Sequence, residues 1–507
     1  MKHKEPTYGK KYADYMDEIS ADDLYKGLLA FGLFSNRMPP VFSSTSFFDY
    51  CVKNHPTFSN SDHDYIRYKT LRNINVPRQL GIPVPMAYEK MCSVLKSNWS
   101  DIQSHFHTYT DSQTHVISRI HIQKRKNKDG LFEMNYDDWR NAGSPKDDLL
   151  IGKRFVVKAD ISTFFPSIYT HSIPWALVGK AVAKQNRSKS KWFNKIDKKC
   201  QEVKYGETHG LLIGPHASNL ISEVILTVVD QKLYDKGWKF VRNIDDYTCY
   251  VETRARADSF IVDLGVALEE FDLQLNNKKT KIEELPDTVL EDWVRKLNGF
   301  SLLTSYGKVD YKQARAYFDL AIELMKLSGG NASVLNYAIK VLSKQALTDN
   351  AKEYSWKMSM HLCILYPYLI SIMDEYVFKA FDTPKDEIQK FIDLSYEDGL
   401  EKKNYEGCSY AIYFALKYDM EVKSIDSVKV VATNDCIYKL LSFLYFRKKG
   451  DSSNTTCLQN EAKNLAQTDM DRNWIFIYET LDQQDLVGDW GVMKNQGISF
   501  LKSEFRY

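Results

Sequence analysis

At 507 residues the chain is too long for one small core, so two or three domains are expected. Apolar residues at 44% and charged residues at 26% are the proportions of an ordinary globular protein, and they exclude a disordered or low-complexity chain. The formal net charge of +2 speaks against a protein that coats long nucleic acid, so any polyanion must meet a local patch.

The first dozen residues carry Lys2, Lys4, Lys10 and Lys11 around Pro6 and Gly9, which predicts a mobile basic arm. Mixed, poorly periodic sequence follows to residue 60. Pro77 to Pro85 reads as a short ordered element leading into a helix from Met86 to about Trp99. Residues 104–150, rich in His, Lys and Asp, read as an insertion of strands and loops. Arg154 to Asp160 is an apolar, β-rich run. From Ser218, the positions Leu220, Ile221, Val224, Ile225, Val228 and Val229 recur at helical spacing. Lys239 to Asn243, Ile244-Asp245-Asp246 and Tyr247 to Val251 then read as strand, tight turn, strand. Residues 256–272 are helical, with Phe260, Ile261, Leu264, Leu268 and Phe271 on one face, and Thr280 to Leu285 makes a last strand. This β-α-β-β-α-β order is the split βαβ arrangement.

After about residue 300 amphipathic helices follow one another: 311–327, closed by Gly329-Gly330, then 332–347, 352–380, 384–397, 408–419, 435–447 and 457–468. Strand signals are nearly absent, and an irregular all-α array of the HEAT-like kind is expected. The longest uncharged stretch, Met358 to Met373, is shorter than the ~20 residues needed to span a bilayer and reads as a buried helix. No membrane is expected. The eight cysteines are scattered without a C-x-x-C pair, which indicates neither a zinc knuckle nor a disulfide framework. With the charged opening residues, this makes a cytoplasmic location the simplest reading.

Acidic pairs are common and mostly face solvent, as Asp22-Asp23, Asp137-Asp138 and Asp147-Asp148 are expected to do. Asp245-Asp246 differs because it lies between two apolar strands. Two carboxylates in a tight turn repel each other unless a cation holds them, and a divalent metal is the usual answer. Asp160 ends an apolar strand that belongs beside this hairpin. Three carboxylates converging at one sheet end would hold two Mg²⁺ ions, with Mn²⁺ the alternative, and would suit phosphoryl transfer.

At this point the residues resemble a known family. Phe155 to Ile168, with Asp160 at its centre, looks like motif A of reverse transcriptases. Gly210 to Asn219 resembles motif B, Phe240 to Asp246 resembles motif C, and Leu275 to Ile282 is similar to motif D. Arg78 to Pro83 is close to the fingers motif of group II intron and related bacterial enzymes. The resemblance implies an α+β fold with reverse-transcriptase fingers and a ferredoxin-like palm, followed by the HEAT-like helical domain. The implied divisions are 1–60 for the arm and start of the fingers, 61–153 for the fingers with an insertion, 154–300 for the palm, and 301–507 for the helical domain.

Roles carry over residue by residue. Asp160, Asp245, Asp246 and the Ile161 carbonyl would hold the metals. Arg78, Ile161, Phe164, Phe165 and Gly214 would contact the incoming dNTP, with Arg78 on the triphosphate. Phe165 falls where reverse transcriptases keep a steric gate against the ribose 2′-OH, or else is simply core. Lys279 would protonate the leaving pyrophosphate, or else is a solvated lysine. The sequence departs from the family at Asn243, where an aromatic is usual, and at Ile213, where a glutamine is common. Both departures put ordinary templated copying in doubt.

The whole pattern looks most like the abortive-infection (Abi) group of bacterial reverse transcriptases, with the detailed match over residues 65–285. That resemblance implies antiphage defence, DNA synthesis without a template, priming on a tyrosine of the enzyme itself, a single-stranded DNA product attached covalently, and a homo-oligomer of three or more chains. Tyr8, Tyr12 and Tyr15 are candidate primers, and Tyr8, beside Gly9, is the choice. Lys180 to Lys204, with Trp192 and Phe193 among its cations, suits either a groove for single-stranded product or a solvated helix face. Two other readings stand beside this one: templated RNA-dependent DNA synthesis of the retron or intron kind, and a structural oligomer with a vestigial polymerase core.

Overall fold

The computed structural model of the protein describes residues 11–119, 121–124, 130–133, 145–286, 292–302 and 307–507. By their contacts the described residues form two units. The first lies within Met1–Ser35, Ser43–Ile66 and Gly81–Asp287, the second within Asn36–Phe42, Arg67–Leu80 and Thr288–Tyr507. It is a mixed helical structure with small antiparallel sheets. β1 (Tyr65–Leu71) and β2 (Pro77–Pro83) pair as a two-stranded ribbon, as do the short β3 (His121–Ile122) and β4 (Phe132–Glu133).

The main sheet belongs to the first unit. Its strands are β5 (Phe155–Asp160), β6 (Phe240–Asn243), β7 (Asp246–Val251) and β8 (Lys281–Glu284). Their spatial order is β6-β7-β5-β8, and every pairing is antiparallel. β5, between β7 and β8, buries Val156, Val157 and Ala159 and leaves Lys158 exposed. The helix Arg254–Glu269 packs against β5 and β7, started by the Thr253 side chain, which accepts from the Arg256 amide. The helix His216–Asp235 is buried almost continuously from Ala217 to Asp230, although Ser222, Glu223, Thr227 and Asp230 interrupt its apolar face.

Two expectations for the first 150 residues change. From Lys11 the chain is packed: Tyr12, Ala13, Tyr15 and Met16 are buried, and Lys11 donates to the carbonyl of Asp111 at 2.6 Å. Lys2, Lys4, Lys10 and Tyr8 lie outside the described residues. The stretch after Ser104 continues a helix, Trp99–Thr110, before any loop begins. Trp99, Ile102, His105 and Phe106 form its buried stripe, and the indole of Trp99 donates to the carbonyl of Ile19 at 2.7 Å. The polar composition of this stretch hid a helical period that includes a buried histidine.

Described residues of the second unit are largely helical, and neighbouring helices pack in succession. Lys385–Glu401 packs on Tyr405–Tyr418, that helix on Cys436–Lys449, and the last on Met470–Thr480. The helix Tyr311–Leu327 starts at Asp310, whose carboxylate accepts from the Gln313 amide. The single helix expected over 352–380 is instead Asp349–Leu365, a 3-10 segment Pro367–Ile372 and π-helical turns over Asp374–Lys379. Pro367 has no N–H to continue the ladder and pushes Tyr366 out of helical geometry, to φ −129° and ψ 78°. Among the described residues no helix is long and apolar enough to cross a membrane. All eight cysteines are free thiols.

Candidate metal centre

The register of the sheet assembles the centre. Asp160, the last residue of β5, stands opposite Asp246, the first of β7. Asn243 also pairs with Asp246, so β6 and β7 close through a two-residue turn, Ile244-Asp245. Carboxylate oxygens of Asp160, Asp245 and Asp246 all lie within 4.8 Å of one another. Asp160 is buried, Asp245 half-buried and Asp246 exposed. The end of β5 is tied to its neighbours on both sides. The Ile161 amide donates to the Asp245 carbonyl at 3.1 Å, and the Asn276 amide donates to the Asp160 carbonyl at 2.7 Å. Asn276 Nδ2 and Lys279 Nζ each donate to a different carboxylate oxygen of Asp160, both at 2.9 Å.

Desolvation and like charge act together on one of the three carboxyls. The Asp246 carboxyl is pushed up to about 7, first by desolvation and then by the neighbouring Asp245 and Asp160, with Lys279 opposing. Three converging carboxylates are a hard-oxygen donor set suited to Mg²⁺ or Mn²⁺. Decoy pairs behave differently. Asp22 and Asp23 sit in the first turn of the helix Ala21–Leu29, where Asp23 completes a capping box with Ser20, and they pair with Lys96 and Lys124. Asp148 is on the short helix Pro145–Leu150, and Asp137-Asp138 lies outside the described residues.

Sequence reasoning missed what stands directly behind the turn. Ile244 has φ +54°, an unfavourable conformation for a β-branched residue. Its carbonyl accepts from Nη1 of Arg242 at 2.9 Å. Arg242 is wholly buried, and so are its partners Glu223 and Asp230 on the His216–Asp235 helix, at 2.8 and 2.7 Å. Glu223 in turn accepts from the hydroxyls of Tyr12 and Ser118, both at 2.8 Å. Burial raises the Asp230 carboxyl to about 6 against the pull of Arg242. The available signal was a pair of acids seven residues apart on an apolar helix, with one arginine inside an apolar strand.

The other expected residues are distributed as follows. Phe164 and Phe165 are buried, 5.2 Å apart by ring centres, on a short helix that follows Thr163 at φ +43°. The Gly210–Leu211 segment binds this region through Gly210 N to the Ile168 carbonyl at 2.7 Å and Leu211 N to the Phe165 carbonyl at 2.8 Å. Gly210 has φ +83°, and a Cβ there would meet the Pro166 carbonyl oxygen at 2.9 Å. Gly214 also has positive φ, and beside it the Ile213 carbonyl accepts from Gly81 N at 2.9 Å. Arg78 stands exposed on β2, among the residues whose contacts group with the second unit.

Tyr12 and Tyr15 are buried, and Tyr12 spends its hydroxyl on Glu223, so neither presents a free phenol in this arrangement. Of the basic segment, Phe193 is core, Lys198 pairs with Asp62 at 2.8 Å, and Lys199 pairs with Glu202 at 2.5 Å. Lys184, Lys189, Lys191 and Lys195 are exposed.

No protein-family model matches the chain, and no curated protein matches it. Among solved structures, telomerase from Candida albicans in complex with a TWJ fragment of telomeric RNA is similar over 79% of this chain, at 12% identity and a TM-score of 0.31. Apo telomerase from Candida tropicalis is similar over 82%, at 11% identity and a TM-score of 0.29. The chain spans 64% and 75% of those two chains. A likeness this distant assigns neither fold nor activity.

Proposed function

We propose that the chain is a nucleotidyltransferase of the reverse-transcriptase type, with Asp160, Asp245 and Asp246 as its metal ligands. The observation that carries this reading is the convergence of those three carboxylates, within 4.8 Å, at one end of a β6-β7-β5-β8 sheet. Divalent cations bound there would supply the charge that phosphoryl transfer needs. In this reading the main sheet is the palm, β1 and β2 belong to the fingers, and residues 301–507 are a HEAT-like accessory domain. Arg78 grips the triphosphate of a dNTP, and Phe165, with Phe164 behind it, excludes a ribose 2′-OH. Gly214 gives the nucleotide room to approach the backbone, and Lys279, held on Asp160 and otherwise exposed, is the proton source for pyrophosphate.

The finer reading is an enzyme of the Abi group, active in phage defence, that builds single-stranded DNA on its own tyrosine without a template and works as a homo-oligomer. Its support is the run of five motifs over residues 65–285 and the departures at Ile213 and Asn243, where a copied strand would be seated. The burial of Tyr12 and Tyr15 favours Tyr8 among the three candidates as primer. The test is incubation of the purified protein with dNTPs and Mg²⁺ alone, beside an Asp160→Ala control. DNA covalently joined to the wild-type protein is the expected result. Synthesis that strictly needs added RNA supports the templated reading instead, and no incorporation under either condition removes the polymerase assignment.

A further inference from the structure

All five N–H groups of Arg242 are committed, and four of them serve the two acids. Nε donates to Asp230 at 2.9 Å, Nη2 to Asp230 at 2.7 Å and Glu223 at 3.1 Å, and Nη1 to Glu223 at 2.8 Å. The remaining Nη1 donor meets the Ile244 carbonyl at 2.9 Å. Burying a guanidinium with two carboxylates is expensive, and well-packed apolar side chains would stabilise this site as well or better. What apolar side chains lack is a donor aimed at a backbone carbonyl in a strained turn. Next in the chain, the Asp245 carbonyl accepts from Ile161, and the Asp246 backbone enters the β7 ladder opposite Asp160. The turn is therefore pinned at Ile244, at Asp245 and at Asp246, and Arg242 supplies the first pin.

The backbone of Arg242 is fixed as firmly. Its amide donates to the Ile117 carbonyl at 2.9 Å, and its carbonyl accepts from Arg119 N at 2.7 Å. Ser118 and Tyr12 then close on Glu223 Oε2 from the 117–119 segment and from the N-terminal segment. A stiff, charge-assisted arrangement of this kind orients a group precisely where an isolated hydrogen bond would not.

We propose that Arg242 is the positioning residue of the carboxylate hairpin: clamped by Glu223 and Asp230, it fixes the Ile244 carbonyl and so aims Asp245 and Asp246 at Asp160, while Tyr12 ties the N-terminal segment into the same clamp. The proposal rests on the reading of the three carboxylates as metal ligands. It assigns Arg242 an effect on cation affinity that is separate from nucleotide affinity, and it makes the metal centre sensitive to how residues 11–15 are seated.

The test uses the full chain and Mn²⁺ as probe, with wild type, Arg242→Lys, Glu223→Gln and Tyr12→Phe, and with Asp245→Asn as the ligand-loss control. Calorimetry reads Mn²⁺ affinity, thermal unfolding reads stability, and hydrogen exchange reads the Ile161 amide that bonds to the Asp245 carbonyl. Arg242→Lys keeps the charge but loses the planar fork, and is expected to weaken Mn²⁺ binding roughly tenfold or more and to speed exchange at Ile161. Tyr12→Phe should weaken binding about threefold while remaining folded. At saturating Mn²⁺ the nucleotide KM of both should stay within about twofold of wild type, because both side chains are buried. Wild-type Mn²⁺ affinity in a folded Arg242→Lys overturns the proposal, as does a KM change with Mn²⁺ affinity intact. If Arg242→Lys fails to fold, unchanged affinity in both Glu223→Gln and Tyr12→Phe overturns it as well. If the wild type binds no Mn²⁺, the metal reading itself falls. Exchange at Ile161 still judges the clamp in that case: faster exchange in the variants supports it, and wild-type rates overturn it.

Discussion

Replacing a metal ligand usually costs stability or leaves it unchanged, but Asp246→Asn should make the metal-free protein more stable at alkaline pH. In the folded chain the Asp246 carboxyl is raised from an ordinary 3.8 to about 7, so its protonated form is the favoured one. Its contribution to stability is full below the unfolded value near 4 and is lost as pH rises through 7. A difference of that size corresponds to at most ~4 kcal/mol once the group is ionised. Asp246 is open to solvent, which discounts the figure to about 1–2 kcal/mol. Asparagine cannot ionise, so the variant avoids that loss. In a chelator at pH 8 its melting temperature should exceed that of wild type by about 2–4 °C, and the gain should vanish near pH 4. Adding Mg²⁺ should reverse the order, because only the wild type keeps all three ligands. Thermal unfolding at both pH values, with and without Mg²⁺, reads all of this. A variant less stable than wild type at pH 8 in chelator would refute the account of a carboxyl held neutral by desolvation and its acidic neighbours.

The same carboxyl sets a proton competition: apparent Mg²⁺ affinity should rise by up to about tenfold per pH step below 7 and level off above it, as calorimetry from pH 5.5 to 8.5 would show. Gly210→Ala puts a methyl group 2.9 Å from a backbone oxygen at φ +83°, so a loss of about 2–4 kcal/mol is expected, read as a fall in the urea midpoint with unchanged slope. Arg78→Ala should raise nucleotide KM by about tenfold or more and leave the melting temperature almost unmoved, since the side chain is exposed. Mass spectrometry of the protein after dNTP incubation should find a nucleotide on Tyr8 that Tyr8→Phe abolishes, and an adduct on any other tyrosine rejects that assignment.

The three converging carboxylates were legible because their signal is local. An apolar run ending in Asp160 and an acidic pair between two short apolar runs each announce themselves within about ten residues, and antiparallel register does the rest. Arg242 was illegible for the opposite reason. Its partners stand 12 and 19 residues earlier, inside a helix whose periodicity reads as core. A lone charged residue in an apolar pattern signals that a partner exists without saying which one. Trp99–Thr110 was missed because composition was weighed over period, and His105 counted as polar although it is buried. The expected helix over 352–380 failed at one known breaker, Pro367, whose effect a run of uncharged neighbours concealed.

The two cations at the centre have different standing, and the difference explains why one lysine and one arginine serve there. With all three aspartates ionised, Lys279 offsets one charge and leaves the centre two negative charges in excess. Arg242, between Glu223 and Asp230, offsets only one of its own two neighbours and so adds to that excess. One divalent cation would balance the three aspartates with Lys279 and leave the single net negative charge of the Arg242 cluster. Two would overshoot by one positive charge, a surplus that a triphosphate can take up and a bare protein cannot. Occupancy of a second cation should therefore depend on nucleotide. In the proposed reading the counter-charge that would yield to cations and nucleotide is Lys279, whose side chain is 63% exposed and can swing away from Asp160. The counter-charge that must not yield is Arg242, which has no solvent to swing into and holds the turn by its backbone.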